Sequence, residues 1–213
     1  MRSDAGNVAA VAQNGPAFLA LGDSYTIGEQ VDPAARWPVQ LARALRAAGM
    51  PVADPQIIAQ TGWTTDELAA GIEKAAVQGT YPLVSLLIGV NNQYRGRSAD
   101  EYREQFRGCL DQAIAYAGGN AACVIVLSIP DWGVMPFAEG RDRANIRRAI
   151  DQFNAIAKDE SARAGAAWVD ITPTSRAMQD GWAAPDGLHP SSAQYSAWAA
   201  LAFESAKRAL AVT

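Results

Sequence analysis

Apolar residues fall along this 213-residue chain in two alternating patterns. Five short runs, at residues 17–21, 56–59, 82–88, 122–129 and 166–170, read as strands. Leu83 to Ile88 and Val124 to Leu127 are continuous rather than alternating, as expected of parallel strands buried on both faces. Between the runs, residues 37–48, 65–77, 99–117, 142–164 and 192–211 carry helical patterning. Thr64 with Glu67 and Ser98 with Glu101 have the spacing of capping boxes, and Gly49, Gly118 and Gly165 sit where helices stop. Strands alternating with helices predict an α/β fold, a three-layer α/β/α sandwich around a five-stranded parallel sheet. No repeat or low-complexity tract interrupts it.

Composition narrows the partners. The length fits one domain, residues 17–213, preceded by a tail over 1–16 that reads as flexible, and 49% hydrophobic residues suffice for a full core. A net charge of -4, a pI near 5.0 and the lack of any basic run argue against nucleic acid or an anionic membrane surface as partner. No apolar stretch approaches the roughly 20 residues of a spanning helix, so no membrane insertion is expected. Val8 to Ala12 is too short for a secretory leader's apolar core of about 7 to 15 residues. Localisation stays open, with the cytoplasm as default and the periplasm or exterior if a leader has been removed. Cys109 and Cys123 fit buried thiols better than a disulfide framework, although one bridge between them stays open.

Candidate chemistry begins with the single histidine. His189 lies in Asp186-Gly187-Leu188-His189-Pro190, three residues after an acid and directly before a proline that biases it to extended backbone. An imidazole, with an ordinary pKa of about 6.5, takes and returns a proton near neutrality. Asp186 is placed to orient it. The nucleophile candidate is Ser24, in Gly22-Asp23-Ser24-Tyr25-Thr26 just past the first strand, where open α/β sheets build their sites. Taken singly, Ser24 also suits a helix N-cap and the histidine loop an ordinary turn.

Gly22-Asp23-Ser24 and Asp186-Gly187-Leu188-His189-Pro190 resemble the first and last motif blocks of the SGNH, or GDSL, hydrolases. Thr61-Gly62-Trp63-Thr64-Thr65 and Ile88-Gly89-Val90-Asn91-Asn92 resemble the two blocks between them, in order, so the resemblance spans about residues 17 to 211. It implies a flavodoxin-like strand order, 2-1-3-4-5. It also implies an oxyanion hole made by the backbone N–H groups of Ser24 and Gly62 and the side-chain amide of Asn91. The family often has aspartate where this chain has Asn92.

These parts compose a serine esterase. Ser24 attacks an ester carbonyl, His189 shuttles the proton and Asp186 holds the tautomer. No cofactor or metal is expected, because one histidine without clustered ligand spacing makes a poor metal site. Loop aromatics Trp63, Tyr94, Trp132, Phe137 and Trp182, with Asn92, are the substrate-binding candidates, and Trp63 or Trp182 could stack on a polar alcohol. Arg95 could meet a negative group, and residues 131 to 143 read as a flap over the site. The expected substrate is a small-molecule ester of a short acyl group. The alternatives are a lysophospholipase or thioesterase of the same family, or a non-catalytic binding module of flavodoxin-like fold; oligomeric state is unknown.

Overall fold

The computed structural model describes residues 15–177 and 179–212, and the five apolar runs form one sheet in it. Its strands are β1 (Phe18–Gly22), β2 (Gln56–Ala59), β3 (Leu83–Leu87), β4 (Val124–Leu127) and β5 (Ala167–Val169). All pairings are parallel and the spatial order is β2-β1-β3-β4-β5. β1, β3 and β4 are buried at every residue, which is why their sequences do not alternate. The edge strands β2 and β5 are partly exposed and tolerate Gln56 and Trp168.

The α-helices among the described residues are, in chain order, α1 (Ser24–Ile27), α2 (Trp37–Ala47), α3 (Thr65–Ala75), α4 (Val90–Tyr94), α5 (Ala99–Tyr116), α6 (Arg143–Ala164), α7 (Thr172–Arg176) and α8 (Ser192–Ala211). On one face of the sheet α2 packs on α8, and on the other α5 packs between α3 and α6. Trp37 and Trp198, fully buried in α2 and α8, are the bulkiest residues of the first layer. Tyr102 of α5 stacks on Phe153 of α6 in the second, with centroids 4.4 Å apart.

The helix ends follow local chemistry. The Glu67 carboxylate accepts the Thr64 N–H at 2.9 Å, completing the first capping box. Ser98 Oγ accepts the Glu101 N–H, but Glu101 turns its carboxylate to Arg97, 2.8 Å away, so the second box is half made. Helix α3 ends before Ala76, which takes the left-handed conformation, rather than at residue 77. Three helices escape the periodicity altogether: α1, α4 and α7 have four or five residues, too few for a repeat to declare itself. Cys109 and Cys123 are separate buried thiols. The tail expected over residues 1–16 falls mostly on residues 1–14, outside the described residues. No helix among the described residues is long and apolar enough to cross a membrane.

Gly22 closes β1 where the strand must turn sharply into α1. A Cβ there would sit 2.5 Å from the Leu87 carbonyl oxygen and closer still to Thr26 Oγ1. The first neighbour is backbone and cannot step aside. Gly22→Ala is therefore expected to destabilise the protein by about 1 to 3 kcal/mol, the range of core overpacking. Urea denaturation checks it; an unchanged midpoint would show that the close approach is not maintained.

Candidate functional site

All five strands point the same way, so the segments after β1, β2, β3 and β5 leave the sheet at one edge, its carboxyl edge. After β1, Asp23 caps α1 by accepting the Tyr25 N–H at 3.0 Å. Ser24, the first residue of that helix, is 6% exposed, and its Oγ has no hydrogen-bond partner among the described residues. The N-cap role that a serine could have filled thus belongs to Asp23, and the hydroxyl of Ser24 is left unengaged.

The segment from 179 to 190 lies at this edge as a closed loop. Ala183 and Pro190 form an antiparallel bridge, and the Ala184 N–H donates to the His189 carbonyl at 2.8 Å. Inside the loop a single carboxylate makes three bonds, two of them to the histidine. Asp186 Oδ1 accepts the backbone N–H groups of Leu188 and His189, each at 3.0 Å, and Oδ2 lies 2.6 Å from His189 Nδ1. Partial burial pushes the Asp186 carboxyl up, but those bonds together outweigh it and hold the pKa below the usual carboxylate value. With Nδ1 bound to the carboxylate, Nε2 is the imidazole's remaining nitrogen for a reacting group.

The loops after β2 and β3 are tied to each other. Gly62 has φ +84°, a backbone conformation that sets the direction of its peptide groups. Arg95 donates to the Gly62 carbonyl at 2.7 Å while pairing with Glu67 at 3.2 Å. Asn91 Nδ2 donates to the Trp63 carbonyl at 2.9 Å, which fixes the amide and leaves it a second N–H. Asn92, fully buried, accepts the Thr65 N–H at 3.1 Å and donates to Thr65 Oγ1 at 2.7 Å. Asn92 thus binds the start of α3 to α4, and it does so with one acceptor and one donor where an aspartate offers acceptors alone.

Ser24, Gly62, Asn91 and His189 all line one cleft of about 190 Å³. Its apolar wall is made by Val90, Tyr94, Trp132, Phe137 and Leu188. Of the aromatic candidates, Tyr94, Trp132 and Phe137 are therefore brought to the cleft. Trp63 and Trp182 are not among its lining residues, and the Trp63 indole lies on α3, so close over Gly71 that a Cβ there could not fit. Asn92 reaches neither the cleft nor solvent, and Arg95 is already spent on Glu67 and Gly62. Val90, Leu188, Thr61 and Tyr25 line the cleft without having stood out in the sequence, since nothing in a loop's pattern says which side chain turns inward.

Residues 131–138 form two 3-10 turns that are fastened down rather than hanging over the cleft. Asp131, buried, pairs with Arg176 at 2.8 Å, Trp132 Nε1 donates to Gln93 at 2.8 Å, and the Phe137 N–H donates to the Gly187 carbonyl at 2.9 Å. The last bond joins the aromatic wall to the histidine loop. Among the described residues no cluster of three or more His, Cys, Asp or Glu side chains could hold a metal ion.

A parallel α/β/α sandwich with a serine and an imidazole–carboxylate pair at the carboxyl edge of its sheet has the layout of an SGNH-type hydrolase. The chain belongs to the GDSL-like lipase/acylhydrolase family, whose model matches residues 20–197, and as a member it is a carboxylic ester hydrolase. No curated protein matches its sequence. Solved structures share the fold at low identity. TesA is 19% identical, with 91% of this chain and 99% of that one covered and a TM-score of 0.73. Axe2, an acetylxylan esterase from Geobacillus stearothermophilus, is 20% identical, with coverages of 92% and 95% and a TM-score of 0.67. The psychrotrophic esterase EstA from Pseudoalteromonas sp., in a structure inhibited by monoethylphosphonate, is 16% identical, with 90% and 97% covered and a TM-score of 0.65.

Beside the cleft lies an acid in an unfavourable place. Asp23 is 1% exposed, and its Oδ2 has no hydrogen-bond partner. Burial pushes its pKa up to about 7, against a smaller opposing effect of the Tyr25 N–H. Between about pH 4 and 7 the folded protein therefore keeps a proton that the unfolded chain releases. This contribution to stability is complete below the ordinary carboxylate pKa and is lost as pH rises through about 7. Asp23→Asn, which cannot ionise, is expected to flatten the fall in stability between about pH 4 and 7, an effect on the order of a few kcal/mol. Urea unfolding of both proteins across that range checks this, and parallel curves would mean that Asp23 does not titrate there.

Proposed function

We propose that the protein hydrolyses carboxylic esters of short acyl groups through Ser24, His189 and Asp186. The observation that carries this reading is one cleft lined by the unengaged Ser24 hydroxyl, by His189 on its Asp186 clamp, and by Gly62 and Asn91. Ser24 Oγ attacks the ester carbonyl carbon and its proton passes to His189 Nε2. Asp186 stabilises the imidazolium so formed without taking the proton. The carbonyl oxygen, now negative, is met by the backbone N–H groups of Ser24 and Gly62 and by the free N–H of Asn91. Collapse of the tetrahedral intermediate breaks the bond to the alcohol, which leaves with the proton from His189. Water, deprotonated by the same imidazole, then releases the acid and restores Ser24.

Size supports the short acyl group. A volume of about 190 Å³ falls below the roughly 300 Å³ at which ligand pockets generally begin. The acetylxylan esterase activity in the name of the structural neighbour Axe2 is consistent with an acetyl-sized group.

Ser24→Ala is expected to lose at least about 10³-fold in kcat with its thermal midpoint little changed, because the hydroxyl supports no other group. A phosphonate with a good leaving group should react at Ser24 Oγ, forming the O–P bond as the leaving group departs and adding the mass of the phosphonyl group, the chemical class of the inhibitor named for EstA. Mass spectrometry of the labelled protein and kinetics of the alanine variant check both; an active variant, or label on another residue, removes Ser24 from the mechanism.

A series of p-nitrophenyl esters tests the acyl length. kcat/KM is expected to peak between acetyl and butyryl and to fall steeply by octanoyl. A maximum at octanoyl or longer would replace the short-acyl reading with a lysophospholipase or thioesterase.

A further inference from the structure

Against the aromatic wall of the cleft, on an exposed residue that does not itself line the cleft, lies a cation with no counter-charge among the described residues. Arg141 follows the second 3-10 turn, and its guanidinium carbon lies 4.8 Å from the ring centroid of Phe137, 5.5 Å from Trp132 and 5.6 Å from Tyr94. These are the three rings that form the wall beside Ser24 and His189. Tyr94 and Phe137 are also the rim, being 49% and 38% exposed.

Its neighbours in charge are accounted for. No carboxylate among the described residues forms an ion pair with Arg141. Glu139, two residues earlier, does not reach it, and Asp142, the next residue, caps α6 by accepting the Asn145 N–H at 2.9 Å. Of the other arginines near this edge, Arg95 pairs with Glu67 and Arg176 with Asp131 and Asp151, while Arg143, without a carboxylate partner among the described residues, is turned to the Met135 carbonyl at 3.5 Å. Arg141 donates one long side-chain hydrogen bond, 3.5 Å to Tyr94 Oη, which leaves most of its five N–H groups unused.

Two properties follow from that setting. Stacking on three rings restrains a side chain that would otherwise lose much rotamer freedom on binding a ligand. A planar guanidinium held in this way presents paired donors to a carboxylate, which it meets in bidentate fashion. We propose that Arg141 forms an anion subsite at the rim of the cleft, and that the substrates are esters bearing a carboxylate a few bonds from the scissile group. This rests on the esterase reading above. It adds a charge requirement to an otherwise apolar wall in a protein whose net charge is negative.

Paired esters test it and separate the two sides on which the carboxylate can lie. On the acyl side, mono-4-nitrophenyl glutarate is compared with its neutral methyl ester. On the alcohol side, 4-carboxyphenyl butyrate is compared with 4-methoxycarbonylphenyl butyrate. In one of the two pairs, Arg141→Gln is expected to lower the anionic-to-neutral ratio of kcat/KM by about tenfold. Arg141→Lys should keep part of the preference, and added salt should shrink it in the wild type. A ratio unchanged in both pairs, with both members slowed alike, would make Arg141 a clamp on the aromatic wall and overturn the subsite. Turnover of the neutral esters with no response of either ratio overturns the subsite and leaves the esterase reading intact. A wild-type protein inert to all four esters would end both.

Discussion

β1 is hydrogen-bonded to β2 on one side and β3 on the other, and none of its residues reaches the surface. Its carboxyl end consequently opens at the middle of the sheet edge. The chain runs outward from β1 to β2 in one direction and then crosses back to β3 on the other, so the loops after these two strands diverge around the point where β1 stops. A crevice is unavoidable there, and ligands of open α/β sheets bind in such crevices. Gly22 sharpens the effect by letting the backbone pass against the Leu87 carbonyl, so Ser24 emerges within two residues of the strand. The later elements are arranged around that serine: Gly62 follows β2, Asn91 follows β3, and His189 returns from beyond β5.

Loops have no sheet of their own, and at this edge polar bonds do the work of a core. One carboxylate, Asp186, satisfies three donors of its own loop. Asn91, Asn92 and Arg95 each bridge from the β3 side to the β2 side. Asn92 is buried and Asn91 half-buried, so leaving their partners unmade would carry a desolvation cost, and the loops are held in one arrangement rather than many. Asp23 is the counterexample: its Oδ1 caps α1 while Oδ2 stays buried without a partner, a strain on stability located one residue from the candidate nucleophile.

The aromatic wall is a fixed surface for a similar reason. Trp132 and Phe137 sit on two short turns anchored to α7 through Asp131 and Arg176, to α4 through Gln93, and to the histidine loop through Gly187. Selectivity in such a cleft comes from the shape and charge of walls already in place, which lowers the ordering needed when a ligand binds.

The sequence by itself determined the elements that repeat and the chemistry that is local. β1, β3 and β4 were legible because burial on both faces writes an unbroken apolar run, and the long helices because amphipathic patterning and caps mark their length. The Asp186–His189 pair was legible too, since three residues and a proline confine both groups to one turn. Ser24, Gly62 and Asn91 stood out only together, as ordered blocks. Tertiary structure alone decided which loop side chains face the cleft. Tyr94 and Trp132 turn in, Trp63 lies back over Gly71, and Asn92 is buried between α3 and α4. It alone decided that Arg95 is engaged while Arg141 has no counter-charge among the described residues. Loops carry no period, and a side chain's facing there depends on partners tens of residues away, so the pattern that encodes a strand or a helix holds no record of it.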